Sequence, residues 1–302
     1  MEAIRLGVPL AVSLISTSAP TLASTPLSPV LGSVIAGLDL AAVLDNPRTM
    51  RALIDLLHQR GVLVIKGQAL SDAEYVRFGR QWGRPLEFFI KEHRGQEHPE
   101  MIRINNDPAT PLAMRDGAVH WHSDGSYEAE PAAITMLYGK EAPRDGGETL
   151  FASTAAAFDA LPVSRQMALE GLVAIHELGA APWIEGETPP DPNRPKRDMP
   201  RQRHPLIMRH PVTGRRALFT SGTACGVDGM DQDAATTLIR HLRTHVVQTQ
   251  FRISYKVLPG DIVLWDNYST VHSATPIVYS DAEGERRLLY RISTKGVPAL
   301  FR

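Results

Sequence analysis

The segment Trp121-His122-Ser123-Asp124-Gly125-Ser126-Tyr127 sets an imidazole and a carboxylate two positions apart. On an extended chain, side chains at i and i+2 point to the same face, so His122 and Asp124 can converge on one ion. They would fill two corners of a two-histidine, one-carboxylate site, the donor set that leaves open positions on a non-haem Fe(II). The same spacing also fits a plain strand-end turn in which Asp124 and Ser126 bond to local backbone.

A third ligand must come from elsewhere among the eleven histidines. His272 is the strongest candidate. It follows Pro259-Gly260-Asp261-Ile262-Val263-Leu264-Trp265-Asp266-Asn267, read as a turn, a buried strand and a polar loop, which places it at a strand-edge opening. His241 and His245 stand one helical turn apart, but no Glu lies between them as in H-E-x-x-H, and they read as helix surface. His120 shares the parity of His122, so a different ligand pair stays open.

The elements that must position these residues are short. Met50, Leu53, Leu56 and Leu57 recur at helical spacing, which predicts a helix over 48–59 ended by Gly61. Val62–Ile65 reads as a buried strand, and Ser71 as the cap of a second helix running to about Trp82. Further strands are expected at 101–104, 119–123, 134–139, 149–152, 253–256, 261–265, 274–278 and 288–294, with helices over 153–177 and 231–248. The segment 186–205, dense in proline and charge, excludes a regular element and reads as part of a lid loop over 183–205. The sum is a mostly β fold with helical decoration, a β-sandwich or jelly roll.

The chain has 302 residues, 32 Lys+Arg against 33 Asp+Glu, and one cysteine, Cys225. That balance gives no electrostatic case for nucleic acid or an anionic membrane, and one cysteine excludes a disulfide framework. A reducing, cytoplasmic setting follows, with a homo-oligomer expected. Residues 1–24 loosely mimic a secretory signal, but Glu2, Pro9 and the lack of an A-x-A site favour a loose extension over 1–27, followed by one domain over 28–302.

Four motifs in order, WHSDGSY, GGETLFAS, PGDIVLWDNYSTVHSA and RRLLYR, resemble the taurine dioxygenase/phenoxyacetate dioxygenase family of Fe(II)- and 2-oxoglutarate-dependent oxygenases. The likeness runs from about Val30 to Thr294 and implies a double-stranded β-helix, a form of jelly roll. It implies His122, Asp124 and His272 as iron ligands, Thr149 and Arg287 as the hydrogen bond and salt bridge to the tail carboxylate of 2-oxoglutarate, and Arg291 as the contact to an anionic substrate. A planar guanidinium suits such bidentate carboxylate binding. Strand parity puts Arg287, Leu289 and Arg291 on one face and Arg286, Leu288 and Tyr290 on the other.

The resemblance implies O2 as second cosubstrate, succinate and CO2 as products, and oxidation of an unactivated C–H bond in a small molecule. Hydroxylation next to a heteroatom would cleave the substrate; desaturation, cyclisation or oxidative decarboxylation are the alternatives on the same iron core, and a non-catalytic jelly-roll binding protein is the rival from another class. Residues 84–91 lack the histidine-rich pattern with which the taurine enzyme grips its sulfonate, which argues against taurine itself. Phe88, Phe89, Lys91, Asn105, Tyr127 and Trp183 are candidate pocket residues, each with an equal case for a core or surface role.

Overall fold

The computed structural model describes residues 22–87, 94–95, 97–110, 119–180, 182–187 and 199–301. Phe88, Phe89, Lys91, residues 1–21 and the 188–198 part of the expected lid lie outside the described residues.

Strands β3 (Val62–Ile65), β6 (Ile134–Glu141) and β14 (Ile262–Asp266) are buried along most or all of their length because both of their faces are covered. Alternate residues go to opposite sides. Leu63, Ile65, Met136, Tyr138, Ile262 and Leu264 meet the helices α2 (Pro47–Arg60) and α3 (Asp72–Gln81), in a layer with Leu53, Leu57, Tyr75, Phe78 and Trp82. Val62, Val64, Leu137, Val263 and Trp265 instead pack with Phe151 of a second sheet and with Val257, which follows one of its strands.

The large sheet also holds β1 (Ser24–Pro26), β2 (Ser33–Ile35), β4 (Arg84–Pro85), β5 (Ile102–Asn105) and β16 (Leu288–Lys295), in the order β1-β2-β3-β14-β6-β16-β4 with β5 also on β16. The second sheet is β13-β7-β15, where β7 is Glu148–Ser153, β13 is Arg252–Lys256 and β15 is Thr270–Ala274. Its outer face packs Ala152 and Val271 against Phe158, Leu242 and Val246 of α4 (Thr154–Asp159) and α6 (Gln232–Val246). The result is a jelly-roll sandwich between two helical layers. A smaller sheet of β8 (Val173–His176), β9 (Gln202–Pro205) and β12 (Ala224–Val227) and the hairpin of β10 (Ile207–Arg209) and β11 (Arg216–Leu218) complete the strands; the remaining helices are α1 (Leu40–Val43) and α5 (Val163–Leu169).

Local chemistry explains the helix bounds. Asn46 Oδ1 accepts from Arg48 N and Thr49 N at the start of α2, and Gly61, at φ 70°, closes it. Ser71 and Glu74 form a reciprocal capping box on α3.

The structure corrects several boundaries. The helix expected over 153–177 is broken into α4, α5 and β8, because Pro162 cannot continue the first helix and Gly171 turns the chain at φ 83°. The strand expected at 274–278 is instead Thr270–Ala274, so His272 sits inside a strand rather than at a strand-edge opening. No strand forms over 119–123; only His122 makes a single bridge, to His272. Ser24–Pro26, within the expected loose extension, pairs with β2, and Gln202–Pro205, within the expected lid, pairs with β8. His245 is more than surface, since its Nε2 lies 2.9 Å from Ala157 O. Among the described residues no helix is long and apolar enough to cross a membrane.

Leu264, on β14 of the large sheet, is fully buried in the layer it shares with α2. Leu264→Ala is expected to cost about 2–5 kcal/mol, read as a lower denaturant midpoint at unchanged m-value.

Candidate metal centre

His122 and His272 are joined by backbone before their side chains meet. His122 N donates to His272 O at 2.9 Å and His272 N donates to His122 O at 2.8 Å. This exchanged pair sets the two residues directly opposite each other, with ring centroids 4.2 Å apart. Asp124 then arrives through a turn rather than a strand. Gly125, at φ 65°, reverses the chain, and Ala132 N returns to Asp124 O at 3.2 Å. A Cβ on Gly125 would lie 3.0 Å from Ala132 N, so the turn depends on glycine in both conformation and space.

The donor atoms of His122, Asp124 and His272 lie within 4.8 Å of one another. His122 Nε2 is 3.7 Å from Asp124 Oδ1, and His272 Nε2 is 3.7 Å from Asp124 Oδ2. Two donors each about 2.1 Å from one divalent ion stand at most about 4.2 Å apart, so both separations fit a shared ion.

The protonation states fit as well. His122 Nδ1 lies 2.7 Å from His120 O; a carbonyl only accepts, so Nδ1 carries the proton and Nε2 presents its lone pair. Burial pushes the pKa of both histidines below the usual range, outweighing the pull of Asp124, and keeps them neutral. Burial alone would raise the Asp124 carboxyl, but Arg291, His272, His122 and the Thr135 hydroxyl hold it well below the usual carboxylate range. Phe151 lies near-parallel to the His272 ring and Trp265 tilted against it, at centroid distances of 6.3 and 4.6 Å, and His272 is buried beside them.

Thr149, buried on β7, pairs with Ala274, and Phe151 pairs with His272. Alternation therefore places Thr149, Phe151 and His272 on one face. Arg287 is partly buried, and burial pushes its pKa down to about 10, slightly offset by Tyr279. Among the described residues no carboxylate pairs with it, whereas Arg286, of opposite parity, bonds Glu141 at 2.9 Å on the surface. Asn106 fixes the Arg287 backbone by accepting from its N–H at 2.7 Å. Arg291 Nη2 is 2.6 Å from Asp124 Oδ1, so the structure places it on the carboxylate of the cluster.

The other candidates stand apart in character. Asn105 is exposed, and its Oδ1 accepts from Asp107 N and the Thr110 hydroxyl, which serves a local turn. Tyr127 is half-buried, three residues beyond Asp124. Trp183 is 51% exposed.

Two buried networks that the sequence did not announce support the metal loop. Glu187 accepts from Trp121 N at 2.8 Å and pairs with Arg243 at 2.6 Å, the two side chains being 1% and 3% exposed. Behind Ser126, Thr223 Oγ1 lies 2.7 Å from Ser126 Oγ and 2.9 Å from His176 Nδ1. Gly222 lets that loop approach, since a Cβ there would lie 2.6 Å from Trp121 O. No period or motif marks such partners, because their meaning is set by distant segments.

A profile of the Taurine catabolism dioxygenase TauD, TfdA family matches residues 23–293. The chain belongs to this family. It is 32% identical over 263 residues to the alpha-ketoglutarate-dependent 2,4-dichlorophenoxyacetate dioxygenase of Cupriavidus pinatubonensis, covering 82% of this chain and 90% of the relative. It is 27% identical to the (S)-phenoxypropionate/alpha-ketoglutarate-dioxygenase of Sphingobium herbicidovorans, over 93% of this chain and 97% of that one. The crystal structure of a taurine dioxygenase from Burkholderia xenovorans superposes with a TM-score of 0.75 at 27% identity, covering 92% of each chain. This TauD/TfdA-family chain is therefore an Fe(II)/2-oxoglutarate-dependent dioxygenase, an oxidoreductase that uses O2 and acts on small molecules.

Two outcomes follow for the supports of the centre. Glu187→Ala leaves Arg243 buried without its counter-charge and is expected to cost about 3–5 kcal/mol in denaturant unfolding. His176, fully buried, has its pKa lowered to about 3 by burial and by His204. The unfolded chain takes up that proton near pH ~6.5, so His176 leaves stability unchanged above that pH and lowers it by up to ~1.4 kcal/mol per pH unit as pH falls toward 3. His176→Gln should flatten the fall of the melting temperature with acid.

Proposed function

We propose that the protein oxidises an unactivated C–H bond of a small anionic organic molecule, with His122, Asp124 and His272 holding Fe(II) and Thr149 and Arg287 holding the far carboxylate of 2-oxoglutarate. The observation that carries this reading is the convergence of the donor atoms of His122, Asp124 and His272 within 4.8 Å of one another. That donor set leaves room for further ligands on one ion. Bound there, Fe(II) with 2-oxoglutarate and O2 supplies the oxidising power, with succinate and CO2 as products.

The chain's own residues bind and orient. Arg287 is a partly buried cation without an acid partner among the described residues, and such a group favours an external carboxylate. Thr149 offers a hydroxyl on the same face as His272. Arg291 has five N–H donors, so its bond to Asp124 leaves others to meet a substrate anion beside the centre. The 2,4-dichlorophenoxyacetate named for one relative is such an anion. Burial of His272 beside Phe151 and Trp265 strengthens each charge interaction nearby. Hydroxylation, with cleavage where the carbon bears a heteroatom, is the outcome we favour. The one cysteine, Cys225, supports a reducing, cytoplasmic setting.

Anaerobic addition of Fe(II) and then 2-oxoglutarate to the metal-free protein tests the assignment. A weak visible charge-transfer band is expected, absent in His122→Ala and requiring at least about tenfold more 2-oxoglutarate in Arg287→Ala, the loss of one charge-assisted pair. A folded wild-type protein without the band would overturn it.

A further inference from the structure

Asn267 and Thr135 are buried, at 1% and 0% exposure, and neither coordinates nor faces substrate in the reading above. Asn267 Oδ1 accepts from the Asp124 backbone N–H at 3.1 Å and from Trp265 Nε1 at 3.2 Å. Two N–H donors can only meet an oxygen, so the amide orientation is fixed and Nδ2 points at Thr135 Oγ1, 3.0 Å away. Thr135 must accept there, and its single proton goes to Asp124 Oδ2 at 2.7 Å, because an ionised carboxylate only accepts. Ser293 Oγ, 3.0 Å from Thr135 Oγ1, supplies the second donor. Every direction in the chain Asn267 to Thr135 to Asp124 is therefore forced.

The sheet builds this relay. Thr135 on β6 pairs with Trp265 on β14 and with Ser293 on β16, so the three strands bring one side chain each to the same point. The terminal torsion of an aspartate is soft, and nothing in its own backbone fixes the carboxylate plane. Here Asn267 grips the main chain of Asp124 while Thr135 grips its carboxylate, which turns one oxygen toward each histidine.

We infer that Asn267 and Thr135 are positioning residues that orient the Asp124 carboxylate for metal binding through this one-directional hydrogen-bond relay. The inference rests on Asp124 being a metal ligand. Outer partners of ligands typically change metal affinity by about 10–100-fold when removed.

The test uses the full-length, metal-free protein and Mn(II) as probe, with free Mn(II) followed by electron paramagnetic resonance. Thr135→Val keeps the shape and deletes the donor; Thr135→Ser keeps the donor; His122→Ala controls for the site. Thr135→Val is expected to weaken Mn(II) binding about 10–100-fold while its melting curve stays cooperative. Thr135→Ser is expected to rescue binding to within about threefold of wild type, a split that a packing role would not produce. Asn267→Leu in the Thr135→Val background should add less than it does alone, since both act on one carboxylate. Wild-type affinity in Thr135→Val, or equal loss in Thr135→Val and Thr135→Ser, would overturn the relay. Failure of the wild type to bind Mn(II), or undiminished binding in His122→Ala, would instead strike the ligand assignment itself.

Discussion

The site depends on one rung of backbone pairing, the exchanged hydrogen bonds between His122 and His272. His272 is held in register by β7, where Phe151 lies opposite, so its position is inherited from the sandwich. His122 has no strand of its own, and its backbone meets the sheet through that rung. Asp124 follows two residues later, on a turn that a glycine makes possible. The centre is thus a loop tied to a rigid sheet by that rung and by side-chain bonds from Asn267, Thr135 and Arg291 to Asp124.

A pinned loop carrying a buried charge needs further support, and the charge balance shows where it comes from. Asp124 is buried, which by itself opposes ionisation, yet Arg291, two imidazoles and Thr135 surround it. The Arg243–Glu187 pair is buried almost completely and holds the backbone of Trp121, next to the first ligand candidate. Buried pairs of this kind contribute little net stability compared with apolar packing, but removing one partner leaves an uncompensated buried charge, so the two side chains hold each other in place. Here the arrangement so held is the approach of 182–187 to the metal loop.

Relatives that share this architecture are named for acting on a dichlorophenoxyacetate, a phenoxypropionate and taurine. In this chain the donor cluster, the Thr149 hydroxyl and Arg287 sit on or beside the strands of the sandwich. Substrate choice rests on side chains around that core, which loops can vary at low cost to the fold. Arg291 lies at the boundary between the two, touching the Asp124 carboxylate.

Much of this was legible in the chain itself. The apolar runs of β3 and β14, the Ser71 capping box and the helix ended by Gly61 follow from nearest-neighbour physics, since periodicity, capping and left-handed turns act over a few residues. The donor types at 122, 124 and 272 and the parity of Arg286 and Arg287 were equally readable. Other features were beyond it. Strand alternation predicts the convergence of His122 and Asp124, but a turn brings it about, and the strand that carries His272 is Thr270–Ala274 rather than the expected 274–278. Thr135 and Asn267 are 132 positions apart, and Glu187 and Arg243 are 56 apart. No local pattern encodes such meetings, because hydrogen-bond direction and buried charge pairing are decided by which strands become neighbours. The sequence determined which groups the protein owns and the local elements that carry them; tertiary structure decided which of those groups share a point in space, because only packing brings distant segments within bonding distance.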